Sequence, residues 1–321
     1  MPDERVSYNF SIAKVLSILM VVIGHYFGSI LWVPTTIALF VFAFSSGYFT
    51  SQKYNNNYSM RSFWKAKIFR LLPSLIIINI FLFVIFVYQQ RSGIYSWQSI
   101  PAILGMSGIL EWFHIQHITP YGAGLWFFTL LIIFYAVYPL LDKLNRQLVT
   151  ATTFLIVLIL MATYLHYHVN IGYSLWITAF AFYFGVYTGR YSIAINPLLL
   201  LVCMASILLA MLFLNIRLNV PEYNFFFILG ASLATSYFLI NGDMRSLPLR
   251  YLLGLSGCII DIYFIHSYLF LHTSGYSPIF SFVFSTCVII ITSLILHSIS
   301  VKLRCAFSNI LKHKGRGAAW F

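Results

Sequence analysis

A chain of 321 residues that is 60% hydrophobic, 19% aromatic and only 8% charged, with 31 Phe and 22 Tyr, carries more apolar surface than a water-soluble fold keeps dispersed. Its formal net charge of +12 is accounted for by basic loops facing anionic lipid, so nucleic acid is not implied as a partner. The composition predicts an all-α, polytopic transmembrane helical bundle of about ten spans. A single domain over residues 1–321 is expected, ending in a basic tail at 302–321.

The first apolar stretch, Phe10 to Leu31, is too long for a cleavable signal, contains Lys14 and lacks a small-residue cleavage pattern after it. It also contains His25. Eleven helical steps from Lys14 return to within about 20° of the starting direction and rise about 16 Å, so one face carries both groups. Titratable side chains in hydrocarbon are costly unless they face a bundle interior or a wet cavity, which makes the pair a functional candidate. The plainer alternatives are a Lys14 that snorkels to the interface and a His25 that is a hydrogen-bonded packing residue.

The next stretches run Val33 to Thr50, Phe69 to Tyr88, Gly122 to Leu141, Thr150 to Tyr167, Gly172 to Thr188, Ile195 to Leu214, Tyr223 to Ile240, Tyr251 to His272 and Pro278 to Val301. Of the 19 Lys and Arg, all but Lys14, Arg91 and Arg217 fall on one side if the amino terminus is inside. That asymmetry predicts cytoplasmic termini at both ends. His25 then belongs to the outer half of the first span. The outer segment Gln89 to Tyr121, with Trp97, Trp112, Phe113, His114 and His117, suits an interfacial or re-entrant element. Cys203, Cys258, Cys287 and Cys305 have neither the setting nor the spacing of a disulfide framework or zinc site, and no metal is expected.

Five segments, in order, bring a family into view: Lys14 to His25; Phe40 to Phe49, FVFAFSSGYF; Lys67 to Pro73, KIFRLLP; Leu125 to Pro139, LWFFTLLIIFYAVYP; and Leu253 to His266, LGLSGCIIDIYFIH. Together they resemble the acyltransferase 3 family of integral-membrane O-acyltransferases. The resemblance implies transfer of an acyl group, usually acetyl from acetyl-coenzyme A, to a sugar hydroxyl of a surface polysaccharide or its lipid-linked precursor. It implies a multi-pass protein of the bacterial inner membrane. The expected partners are an acyl-coenzyme A donor or co-substrate, the glycan acceptor and membrane lipid.

On that reading His25 is the general base, because an imidazole titrating near neutrality is suited to removing the hydroxyl proton. Lys14 is the second catalytic candidate, for stabilising the donor or an acidic partner; the family usually has Arg there, so lysine keeps the charge and loses the planar fork. Lys65, Lys67 and Arg70 are expected to hold the donor phosphates, with ordinary positive-inside charge as the alternative for Lys65. Ser46, Trp126, Asp261, Tyr263 and His266 are candidate substrate contacts. Asp261, the one acid deep in an expected span, should be protonated or face Lys14 or His25. Two positions depart from the family pattern: Leu131 stands where many relatives carry Glu, and Ile259 where Ser is common. A different class, a transporter, flippase or polymerase for lipid-linked glycans, shares the hydropathy. It would favour inverted repeats, of which no clear pair is seen.

Overall fold

The computed structural model describes residues 3–54, 58–169, 171, 173–271 and 277–316. Twelve α-helices occur among them, with no strand: α1 Glu4–Phe27, α2 Trp32–Lys53, α3 Met60–Tyr88, α4 Ser99–Ile103, α5 Ser107–Trp112, α6 Trp126–Leu144, α7 Leu148–His168, α8 Tyr173–Thr188, α9 Pro197–Phe213, α10 Asn224–Asn241, α11 Ile259–Ile265 and α12 Pro278–Arg316. Eight helices among the described residues are long and apolar enough to cross a membrane. The protein is an all-α polytopic bundle.

The difference from about ten expected spans lies in two places. The stretch ending at Thr188 forms the shorter α8. The stretch from Tyr251 is interrupted: a 3₁₀ segment at Arg250–Leu255 precedes α11, and another at His266–Tyr268 follows it. The expected end of that stretch, His272, lies outside the described residues. Hydropathy senses only the apolar character of this run; its breaks coincide with Leu253–Gly254 and Ser256–Gly257, where glycine weakens helix propensity.

Helix ends follow local chemistry. Asp3 caps α1 by accepting from the Arg5 amide at 2.9 Å, and Glu4 in the first turn complements the helix dipole. Two residues beyond His25, α1 ends because Gly28 takes φ +73°, a left-handed conformation that suits glycine. Ser59 caps α3, and Asn196 followed by Pro197 opens α9.

The chain divides into two compact units, one built from Met1–Tyr58 and Leu130–Ser256, the other from Ser59–Thr129 and Gly257–Phe321. In the first unit, α2 lies directly on α8: Gly47 meets the Phe182 carbonyl and Gly185 meets the Phe44 carbonyl, so closely that neither position has room for a Cβ. Small residues permit such an approach where lipid supplies no hydrophobic drive between helices. Around this seam Phe44 stacks on Phe10 and Tyr48 at ring separations of 5.9 and 6.0 Å. At the start of α1, Asn9 donates to the Leu239 and Gly242 carbonyls and accepts from the Met244 amide, while Arg5 donates to the Ile240 and Asn241 carbonyls.

In the second unit, α3, α11 and α12 pack together, and the segment from Gln89 to Tyr121 is laced by hydrogen bonds into a cap. Gln98 bridges the Gln116 carbonyl and the Ile118 amide. Ser99 and Thr119 share a bond of 2.7 Å, and Thr129 links the Gly105 carbonyl to the Gly108 amide. Pro73 lies inside α3 and is buried; lacking an N–H, it leaves the Phe69 carbonyl without its ladder donor.

Candidate active site

In the first unit Lys14 and His25 lie on one uninterrupted helix, as the spacing requires. Lys14 is half-buried, with Nζ 5.5 Å from the centre of the Phe49 ring, a separation suited to cation–π attraction. His25 is exposed and occupies the last turn of α1. Beside it, Gly24 packs against the Thr35 side chain, setting the spacing between the end of α1 and the start of α2. Ser46 is half-buried and bonded to the Tyr135 hydroxyl at 2.9 Å, which ties it to α6.

The remaining candidates belong to the second unit. On α3, Lys67 and Arg70 are three residues apart and project from neighbouring positions, whereas Lys65 is rotated by about 200° from Lys67. The expected basic trio therefore divides. Lys65 is exposed, with Nζ 5.9 Å from the Phe69 ring centre; Lys67 is buried, with Nζ 5.4 Å from the Phe63 ring centre. An ammonium group is rarely buried without compensation, so Lys67 is the more unusual of the two. Arg70 is exposed, and its carbonyl accepts a bond of 3.3 Å from the Arg304 guanidinium.

Two faces of α11 make different bonds. Tyr263 is buried and donates its phenol to the Gly124 carbonyl at 2.9 Å, while its ring meets the edge of Phe127 at 5.9 Å. Three residues on, His266 is fully buried, and its Nδ1 donates to the Tyr263 carbonyl at 2.7 Å. Because a carbonyl only accepts, that bond places the proton on Nδ1 and turns Nε2 towards the Ser267 hydroxyl at 3.3 Å. Trp126, at the start of α6, is half-buried and lies against Gly108, where a side chain would crowd the Trp126 backbone.

The other face of α11 gives Asp261 a neighbour that the sequence reading did not name. Asp261 is paired with His297 of α12, whose Nδ1 lies 2.9 Å from Oδ2, rather than with Lys14 or His25. The physical reason is proximity within the second unit: α11 packs on α12, and Asp261 is buried against it. His297 was legible in principle, because Ser293, His297 and Ser300 follow at helical spacing and make one polar stripe in an otherwise apolar helix.

A second group missed from sequence is Glu111 of α5, in the cap. Burial raises its carboxyl above the usual carboxylate range, and the Gly124 amide bond only partly offsets this. The turn before Trp126 is held from two directions, by Tyr263 on the Gly124 carbonyl and by Tyr268, whose hydroxyl accepts from the Ala123 amide at 3.0 Å. Trp126 inherits its position from this clamp. No cluster of three metal-ligating side chains occurs among the described residues.

Eight helices among the described residues, long and apolar enough to cross a membrane, define the class: a multi-pass helical membrane protein. The chain belongs to the acyltransferase 3 family: the family model, described as an acyltransferase domain, matches residues 7–313. The protein is thus an integral-membrane acyltransferase. Searches of curated proteins and of solved structures find no match.

Proposed function

We propose that the protein moves an acyl group, acetyl in the simplest case, from acyl-coenzyme A to a sugar hydroxyl of a surface polysaccharide or its lipid-linked precursor, in the bacterial inner membrane with both termini cytoplasmic. The observation that carries this reading is the exposed imidazole of His25 at the end of the helix that also bears Lys14. A hydroxyl attacks a thioester poorly until its proton is removed, and a positioned base near neutral pKa contributes on the order of 10²–10⁴-fold. His25 accepts that proton as the new ester bond forms and the carbon–sulfur bond breaks; the electron pair leaves on the coenzyme thiolate. Lys14 supplies a fixed positive charge along the same helix face.

The donor phosphates dock on Lys67 and Arg70, with Lys65 adding a solvated charge, since guanidinium forks and ammonium groups recognise phosphate by charge-assisted bonds. Trp126, Tyr263 and His266 shape the acceptor side, with Ser46 held ready by Tyr135. Asp261 acts on His297 rather than on substrate directly. Purified protein incubated with acceptor glycan and acetyl-coenzyme A labelled in the acetyl group tests the reading. Label should pass to the glycan with wild type and not with His25→Ala. Vectorial movement of unmodified glycan in vesicles, without label transfer, would instead make the protein a transporter.

A further inference from the structure

Asp261 and His297 form a buried acid–imidazole pair for which the base chemistry at His25 has no use. Asp261 is 1% exposed, and its carboxyl lies against His297 and, from α3, Ser74. A buried ion pair by itself is weak evidence of stabilisation. What the pair leaves open is the far edge of the imidazole.

His297 is partly accessible. Its Nδ1 is committed to Asp261, and its Nε2 makes no hydrogen bond among the described residues. On the Nε2 side stands Gly257, an exposed residue at which a Cβ would fall 3.0 Å from that nitrogen. The missing side chain leaves the far edge of the ring uncovered.

The surroundings form a graded path within the second unit. On α12 the polar residues Ser293, His297, Ser300 and Arg304 recur at helical spacing; on α3, Lys67, Arg70 and Ser74 do the same. The two stripes touch. Arg304 donates to the Arg70 carbonyl, Ser74 and Ser300 are 3.4 Å apart, and Ser300 donates to the His297 carbonyl at 2.9 Å. The charged end lies at Lys67, Arg70 and Arg304, and the imidazole stands about 10 Å further along α12 from Arg304 by helical rise. A ligand that matches this order has anionic phosphates at one end and a slender arm carrying amides and a thioester at the other.

We propose that His297, its ring fixed by Asp261, binds the thioester-bearing arm of the acyl-coenzyme A donor through Nε2. Asp261 is a positioning residue: it sets the ring. The inference rests on the donor reading above and adds a second anchor to it, deeper than the phosphate site.

The test uses the full chain in lipid nanodiscs and two radiolabelled probes, acetyl-coenzyme A and adenosine 3′,5′-bisphosphate, which carries phosphates but no arm. His297→Asn keeps an N–H able to reach Asp261 and removes Nε2. It should weaken acetyl-coenzyme A binding about tenfold, the loss of one well-placed hydrogen bond in a dry site, and leave the bisphosphate unchanged. Gly257→Ala, which crowds Nε2 without touching Asp261, should act in the same direction. Arg70→Ala should weaken both probes. Unchanged acetyl-coenzyme A affinity in both His297→Asn and Gly257→Ala overturns the inference, as does equal weakening of the two probes by His297→Asn, which marks a structural role. If wild type binds neither probe, the donor reading itself falls, and this inference with it.

Discussion

In the unit that carries Lys14 and His25, backbone meets backbone: Gly47 and Gly185 bring α2 onto α8, and Phe10, Phe44 and Tyr48 stack around the seam. In the unit that carries Lys67, Arg70 and Asp261, short helical pieces are joined by side-chain bonds from Gln98, Thr129, Tyr263 and His297. The first arrangement depends on shape and tolerates no added volume. The second adds a dependence on hydrogen-bond partners to close approaches of its own, such as Gly93 against the Ile118 carbonyl. Lipid explains why both occur: without a hydrophobic drive between helices, association comes from close packing or from satisfied polar groups.

The largest expected effect separates chemistry from either kind of packing. His25→Ala, at an exposed position, should lower acyl transfer on the order of 10²–10⁴-fold with unchanged thermal unfolding, measured by label transfer and by melting of the purified protein. Next, Gly47→Val drives a side chain into the Phe182 carbonyl and should destabilise the protein by about 1–3 kcal/mol or prevent its accumulation. A Gly47→Val protein that melts like wild type would remove shape as the basis of the first unit.

A smaller effect probes the polar unit. Because burial raises the Glu111 carboxyl, the native state keeps a proton that the unfolded chain has released. Its stabilising contribution is complete below the ordinary glutamate range and is lost as pH rises through the raised value. Glu111→Gln should flatten that part of the stability profile, followed by thermal melts across the acid and neutral range. The smallest effect belongs to an exposed pair. Arg245 holds the Asp243 carboxyl down at about 2, so its contribution is present above the ordinary aspartate range and fades as pH falls towards that value. Solvent screens this pair, and Asp243→Asn should leave melting nearly unchanged at neutral pH.

Much of the plan was legible in the residues. The continuity of α1 through Lys14 and His25 follows from an apolar run with an Asp3 cap and a Gly28 stop, and the long spans follow from hydropathy. The interruption around Gly254 and Gly257 was hidden, because an apolar average does not register where a helix yields its ladder. The partner of Asp261 was hidden for a related reason. Sequence shows which group needs a counterpart, but the choice among Lys14, His25 and His297 depends on which helix packs against α11. Lys65 and Lys67 read alike as letters and differ in burial because their directions on α3 are nearly opposite.

One feature of α1 bears on how the imidazole is aimed. Its bonds from Arg5 and Asn9 to the end of α10 and the following loop all lie within the first two turns, whereas His25 occupies the last. The far end is held as well, by Gly24 packed on the Thr35 side chain, so a tilt of about 5°, which over about 24 Å from Asn9 to His25 is a swing of about 2 Å, is resisted at both ends. On the proposed function, a misplacement of about 1 Å at a reacting group costs on the order of a hundredfold in rate, so Asn9 and Gly24, neither of them a reacting group, together set the aim of the His25 imidazole.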